Sequence, residues 1–174
     1  RFANAVAHLA CSPAQTTWEA GVDVLSFGAT KNGALAAEAV VLFDTDQAGE
    51  LELRRKRGGH LWSKSRFLSA QLLAMLQDDL WLTNARRANE MARQLSIGLS
   101  AIPGVTLLQP VEANEIFLTL PGTIAGSLRA QGFSFYDWPA PTPTADAAVR
   151  LVTSYETRAE DVEGLIDAAM RLVG

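Results

Sequence analysis

One lysine, Lys31, stands in VDVLSFGATKNG, residues 22 to 33, where an apolar run through Val22, Val24 and Leu25 gives way to Ser26, Gly28, Ala29 and Thr30. The pattern describes a strand that delivers an amine into a turn of small residues. Glycine lets a backbone approach a planar ligand closely and takes dihedrals that other residues avoid, so this amine suits Schiff-base chemistry. That use requires the neutral nucleophile, which partial burial or a neighbouring cation promotes. By spacing alone, a solvated turn lysine fits the same residues.

Arg150 is the second residue of interest, because it interrupts the apolar run Val149, Leu151, Val152. A guanidinium is costly there unless it is paired or solvated, and the alternation of a strand lets it point to water. Four consecutive cations, Arg54 to Arg57, lie in ELELRRKRGGH. A solvated helix face accounts for them, with nuclear targeting or nucleic-acid binding as the alternative. The second option sits poorly with a formal net charge of -4, a pI near 5.2 and no aromatic interleaving. His8 falls near a helical stripe without a second His or Cys at ligand spacing, so it reads as structural rather than as a metal ligand. His60, after two glycines, could serve as a base but nothing else supports it.

The elements that must hold these residues follow from periodicity. Phe2, Ala5, Val6, Leu9 and Ala10 are spaced as a helix from the first residues onward. Arg1 opens the chain without a methionine, so the sequence is expected to start within a domain. Cys11 to Trp18 is a turn or short helix started by Ser12, with Pro13 at its first position. Ala36 to Phe43 reads as a strand antiparallel to the lysine strand, closed by Asp44, Thr45 and Asp46. Trp62 to Gln77 reads as an amphipathic helix with Leu61, Leu68, Leu72, Met75 and Leu76 on one stripe. Thr83 or Asn84 can cap a second, longer helix through Ala85, Ala88, Ala92, Leu95, Leu99 and Ile102, which ends before Pro103-Gly104.

Beyond that break the texture is that of a small α+β domain. Strands are expected at Val105–Leu108, Asn114–Leu120, Phe133–Trp138 and Val149–Ser154, with a helix at Ile124–Gln131. The prolines of PAPTPTAD, residues 139 to 146, require a loop. A capping box, Thr157 to Glu160, is expected to open a last helix whose Val162, Leu165, Ile166, Ala169 and Leu172 face the sheet. The 174 residues, 48% of them hydrophobic, suffice for a sizeable core. No run of eighteen apolar residues suggests a membrane span. The one cysteine, Cys11, cannot form an intrachain disulfide, and cytoplasmic residence is the default expectation.

SFGATKNG, with the strand from Glu38 to Phe43 behind it, resembles the lysine segment of bacterial low-specificity L-threonine aldolases, fold-type I enzymes dependent on pyridoxal phosphate. RFANA at the start, RRKRGGHLWSK in the middle and VRLVTSYETRAEDVE near the end resemble segments of that family in the same order. The resemblance implies an α/β fold: the C-terminal part of an aminotransferase-like large domain over residues 1–83, a connecting helix over 84–102, and the small domain over 103–174. It implies that Lys31 is the Schiff-base lysine and that Arg1 lies beside the cofactor ring oxygen. Lys56 would point into the active site, and Lys64, with Arg66 as its rival, would reach the cofactor phosphate. GGHLWSK departs from the family pattern of glycines running closely into an arginine. Arg150 matches the arginine that grips the substrate carboxylate, a task suited to a planar fork of donors. The implied reaction is cleavage of L-threonine or L-allo-threonine to glycine and acetaldehyde, in a homodimer or homotetramer with shared sites. A related β-eliminating lyase, an aminotransferase-like enzyme, or a non-catalytic fragment are the alternatives.

Overall fold

The structure is a computed structural model that describes residues 1–139 and 146–173. Most of the proline-rich loop expected over 139–146 lies outside the described residues. The chain divides into two compact units, Arg1–Asn84 and Ala85–Gly174.

The first unit opens with α1 (Phe2–Leu9), which buries Ala3, Asn4 and Val6 and ends at Ala10 in the left-handed region, where the Ala10 N–H donates to the Val6 carbonyl at 3.1 Å. Ser12 and Gln15 then close one turn reciprocally, each side chain accepting from the other's backbone N–H, at 3.2 and 2.8 Å. Next come β1 (Val24–Gly28) and β2 (Glu38–Leu42), an antiparallel pair whose register sets Val24 against Leu42 and Gly28 against Glu38. The expected antiparallel arrangement is therefore present. α2 (Ala48–Arg57) buries no residue, and Arg54 pairs with Glu50 one turn earlier at 2.6 Å. α3 (Arg66–Leu76) starts four residues later than the periodicity of Trp62 to Gln77 predicts and buries only Met75 of the expected stripe.

A two-stranded ribbon has little stability of its own, so the first unit depends on what packs beside it. Phe2 of α1 stacks on Trp81 with ring centres 6.0 Å apart, and Phe27 of β1 meets both rings edge-on, at 6.3 Å from Phe2 and 5.6 Å from Trp81. These three rings tie helix, strand and the start of α4 (Leu80–Ser100) together, each edge-to-face pair contributing about 0.5–1.5 kcal/mol beyond burial. α4 begins at Leu80, before the Thr83 or Asn84 cap read from sequence. Asp78 and Asp79 adopt left-handed backbone immediately ahead of it, so the turn lies upstream of the polar pair that resembled a cap.

In the second unit, β3 (Thr106–Leu107), β4 (Glu115–Pro121), β5 (Tyr136–Asp137) and β6 (Asp146–Val152) form an antiparallel sheet of order β3-β4-β6-β5. α5 (Gly122–Ala130) and α6 (Ala159–Met170) cover one face with α4. Along β4, Ile116, Leu118 and Leu120 are buried, whereas Glu115, Phe117, Thr119 and Pro121 are half-buried. That strict alternation is the signature of a sheet with one core face. Ile116 and Leu118 lie opposite Leu151 and Val149, and the core continues through Met91, Leu95, Leu99, Leu128 and Val162. The arrangement is the mixed α/β fold expected from sequence.

Candidate active site

Lys31 occupies a single 3-10 turn, Thr30–Asn32, directly after β1. The turn has a rigid footing. Ala29 is 1% exposed and its N–H donates to the Ala37 carbonyl at 2.9 Å, while its own carbonyl accepts from the N–H groups of Asn32 and Ala34 at 2.9 and 3.2 Å. The Thr30 hydroxyl accepts from the Ala37 N–H at 3.1 Å. Gln71 of α3 reaches across with Oε1 and accepts from the N–H groups of Leu35 and Ala36 at 2.9 and 3.1 Å. Gly33, at φ 126°, adopts a backbone conformation that a side chain would oppose, which explains glycine two residues after the lysine. The lysine side chain itself is exposed, between Thr30 and the buried Asn32.

The residue that fixes this turn most firmly is Asn32, for which sequence reasoning assigned no role. Its side chain is buried and donates to the Trp81 carbonyl at 2.8 Å, and Asn84 donates to the Asn32 carbonyl at 2.8 Å. The only sequence signal was its place beside the lysine.

The other residues expected at a site fall as follows. Arg1 precedes α1, and its carbonyl accepts from the Ala5 N–H at 3.3 Å. Lys56 is exposed in the last turn of α2, among cations whose charges are well placed at a helix C-terminus. Its neighbour Arg55 donates to the His60 carbonyl at 3.2 Å. Lys64 is exposed in the loop before α3, and Arg66, the first residue of that helix, lays its guanidinium over the ring of Phe67, 4.9 Å from its centre. Arg1, Lys31, Lys56 and Lys64 belong to the first unit and Arg150 to the second.

Arg150 lies on the sheet face opposite the core, in register with Phe117 of β4 and Tyr136 of β5. Its side chain is 28% exposed, so it does not simply reach into water. Nη1 stands 3.7 Å from Glu115 Oε1, an ion-pair distance beyond hydrogen-bond reach. The guanidinium carbon is 5.0 Å from the Tyr136 ring centre and 5.6 Å from that of Trp138. A guanidinium so placed, with an aromatic border and one carboxylate nearby, can receive an anionic group. Sequence reasoning treated Tyr136 and Trp138 only as strand residues; their alternation at positions 136 and 138 was the signal that both meet the face of Arg150.

A model of the beta-eliminating lyase family matches residues 1–122. The low specificity L-threonine aldolase of Pseudomonas aeruginosa is 46% identical over 165 residues, covering 95% of this chain and 46% of that protein. The protein of the same description from Pseudomonas sp. (strain NCIMB 10558) is 42% identical over equal coverage. Among solved structures, the threonine aldolase of Leishmania major aligns with a TM-score of 0.90 and 26% identity, over 100% of this chain and 50% of that one. The chain spans about half the length of these relatives.

Proposed function

Since the chain belongs to the beta-eliminating lyase family, we propose that it forms part of a pyridoxal phosphate-dependent carbon–carbon lyase. Its substrate in this reading is L-threonine, L-allo-threonine or a similar β-hydroxy-α-amino acid, cleaved to glycine and an aldehyde. The observation that carries the reading is the lysine turn. Lys31 presents a primary amine from a backbone that is locked by Ala29, Asn32 and Gln71 and bordered by Gly28, Ala29 and Gly33. Those residues fit the cofactor: the amine can bind its aldehyde carbon, and the small neighbours leave a planar ring room to lie close.

Pyridoxal phosphate, when bound, supplies the electron sink for the pair left by breaking the bond between Cα and Cβ. The chain's own residues do the rest. Lys31 holds the cofactor. Arg1 would lie beside the ring oxygen, and Lys64 would meet the phosphate as a point charge. Arg150 binds the substrate carboxylate and so fixes which bond at Cα is aligned for cleavage, while Lys56 faces the substrate. The site is shared within a homodimer or homotetramer. The family description favours one second reading, elimination at Cβ, which keeps Lys31 and Arg150 and differs in its products.

Borohydride reduction of the cofactor-loaded protein followed by peptide mapping tests the assignment. The pyridoxyl group is expected on Lys31, and its recovery on Lys56 or Lys64 would refute the role given to Lys31. Product analysis with L-threonine separates the two reactions: glycine with acetaldehyde marks the aldolase, whereas 2-oxobutanoate with ammonia marks elimination.

A further inference from the structure

What holds the Arg150 guanidinium in place is unusual for a half-buried cation. Nε is buried and has no hydrogen-bond partner among the described residues. Glu115 at 3.7 Å attracts Nη1 without a directional bond. Among the described residues, the rings of Tyr136 and Trp138 also stand against the guanidinium. Tyr136 stands directly across from Arg150 in the register of β5 with β6, and the backbone N–H of Trp138 donates to the Ala148 carbonyl at 2.8 Å, which keeps that residue beside β6. The indole in turn rests against Phe117, ring centres 4.7 Å apart, so Phe117, Trp138, Tyr136 and Arg150 form one aromatic and cationic patch. Both ring centres lie within cation–π distance of the guanidinium.

We propose that Trp138 and Tyr136 are positioning residues for carboxylate recognition: their rings set the orientation of the Arg150 guanidinium, so that its Nη edge meets the carboxylate of an α-amino acid. The proposal rests on the carboxylate role given to Arg150 above. With Nε buried, the donors left for a ligand are those on Nη1 and Nη2. A guanidinium can turn about its long side chain, and hydrogen bonds on Nε would ordinarily stop that rotation. Here aromatic faces take over the task. This leaves the donors of the Nη edge for the ligand, because a ring engages the guanidinium without consuming its N–H groups. Glu115 keeps the arginine compensated without a directional bond to Nη1.

The test is calorimetric titration of the cofactor-loaded protein with glycine and with glycinamide, which differ only in the carboxylate. Wild type should bind glycine more tightly by about tenfold or more, the range for a charge-assisted contact. Trp138→Ala should narrow that ratio by about fivefold, a loss of cation–π magnitude, and Tyr136→Ala should narrow it in the same direction. Trp138→Phe, which restores a ring, should return the ratio to within about twofold of wild type. Cofactor absorbance and the thermal midpoint should hold in all three variants, since both rings border an exposed sheet face. If Arg150→Ala abolishes the preference for glycine while both alanine variants retain it in full, the positioning role is wrong and the arginine assignment stands. Failure of Trp138→Phe to restore the ratio also overturns the positioning role. If Arg150→Ala itself leaves the ratio unchanged, the carboxylate assignment falls, and the positioning role with it.

Discussion

The side-chain amide of Asn32 donates to the Trp81 carbonyl at 2.8 Å, and the side chain of Asn84 donates to the Asn32 carbonyl at the same distance. The residue beside Lys31 is thus tied twice to the first turns of α4, in both directions. Asn32→Ala removes a buried donor and is expected to destabilise the first unit by about 1–2 kcal/mol. Asn32→Asp should cost more, because a carboxylate would then face a carbonyl oxygen with no proton to share. Chemical denaturation measures both. Equal stability of Asn32→Asp and wild type would mean that the contact contributes nothing.

A second buried polar pair ties the last strand to α4. The Thr153 hydroxyl donates to the Ala88 carbonyl at 2.7 Å, and Asn114 and Thr153 exchange bonds at 2.6 Å (side chain to carbonyl) and 3.1 Å (Thr153 N–H to Asn114 carbonyl). Thr153 is 2% exposed, so its hydroxyl has no water to turn to. Thr153→Val should lose about 1–2 kcal/mol despite its equal shape. Thr153→Ser should retain the bond and lose only the buried methyl, about 0.8 kcal/mol. Denaturant midpoints ranking valine above serine would contradict the hydrogen-bond account.

The residues show which parts of this molecule a sequence discloses. Ile116, Leu118 and Leu120 alternate with half-buried neighbours, so β4 is legible from its pattern; the strand supplies half of its own core and needs little else to declare itself. The start of α4 is not. Its boundary is set by Asp78 and Asp79 taking left-handed backbone, while Thr83 and Asn84 offered a better local cap and went unused as one. The last helix shows a similar displacement: Asp161 accepts from the Arg158 N–H at 3.0 Å, and Thr157 accepts instead from the Ser154 N–H at 2.9 Å, so the expected box of Thr157 to Glu160 gives way to a single capping contact one residue later, Arg158 having no side-chain acceptor to complete a box. Phe133 to Trp138 forms a strand only at Tyr136 and Asp137: the Phe133 N–H donates to the Leu128 carbonyl of α5 at 3.1 Å, so the segment begins at the helix end rather than in the sheet, while the Trp138 N–H still donates to the Ala148 carbonyl at 2.8 Å. Lys31 and Arg150 could be named from their surroundings in the chain. Asn32, Tyr136 and Trp138 could not, since their roles depend on elements distant in sequence.

The exposed face of α4 carries a pH-dependent contribution. Hydrogen bonds from Arg93 and then Gln94 lower the Glu90 carboxyl from 4.5 to about 2. Because the folded value is depressed, the stabilisation is fully present above about pH 4.5 and is lost as the pH falls towards 2. The Glu90 side chain is 43% exposed, so solvent screening limits the contribution to no more than about 0.5 kcal/mol. Asp161, lowered by its hydrogen bonds with Arg158, acts in the same direction. Glu90→Gln should therefore leave stability at neutral pH nearly unchanged and flatten its decline between pH 4.5 and 2. A variant whose decline is as steep as that of wild type would remove Glu90 from the account.

Gly98 sets helix propensity against packing, and the distances decide the sign. In an open helical position Gly→Ala stabilises by about 0.8–1 kcal/mol, and Gly126 of α5 offers such a position, with nothing within 4 Å of an added Cβ. At Gly98 of α4 the same Cβ would meet Ile166 of α6 at 2.8 Å from Cγ1 and 3.2 Å from Cγ2, with Cδ1 closer still. Rotating Cδ1 away does not relieve the contact, because both branches of a β-branched side chain are involved and its χ1 is stiff in a helix. Overpacking of this kind costs about 1–3 kcal/mol, which exceeds the propensity gain. Gly98→Ala is therefore expected to destabilise by up to about 2 kcal/mol, whereas Gly126→Ala should stabilise by a little under 1. A double-mutant cycle isolates the cause: Ile166→Ala alone creates a cavity and destabilises, but in the Gly98→Ala background the new methyl occupies part of that space, so the combined loss should be smaller than the sum of the two. Strict additivity would show that the two side chains do not compete, and a stabilised Gly98→Ala would show that α6 yields at less cost than the packing distances imply.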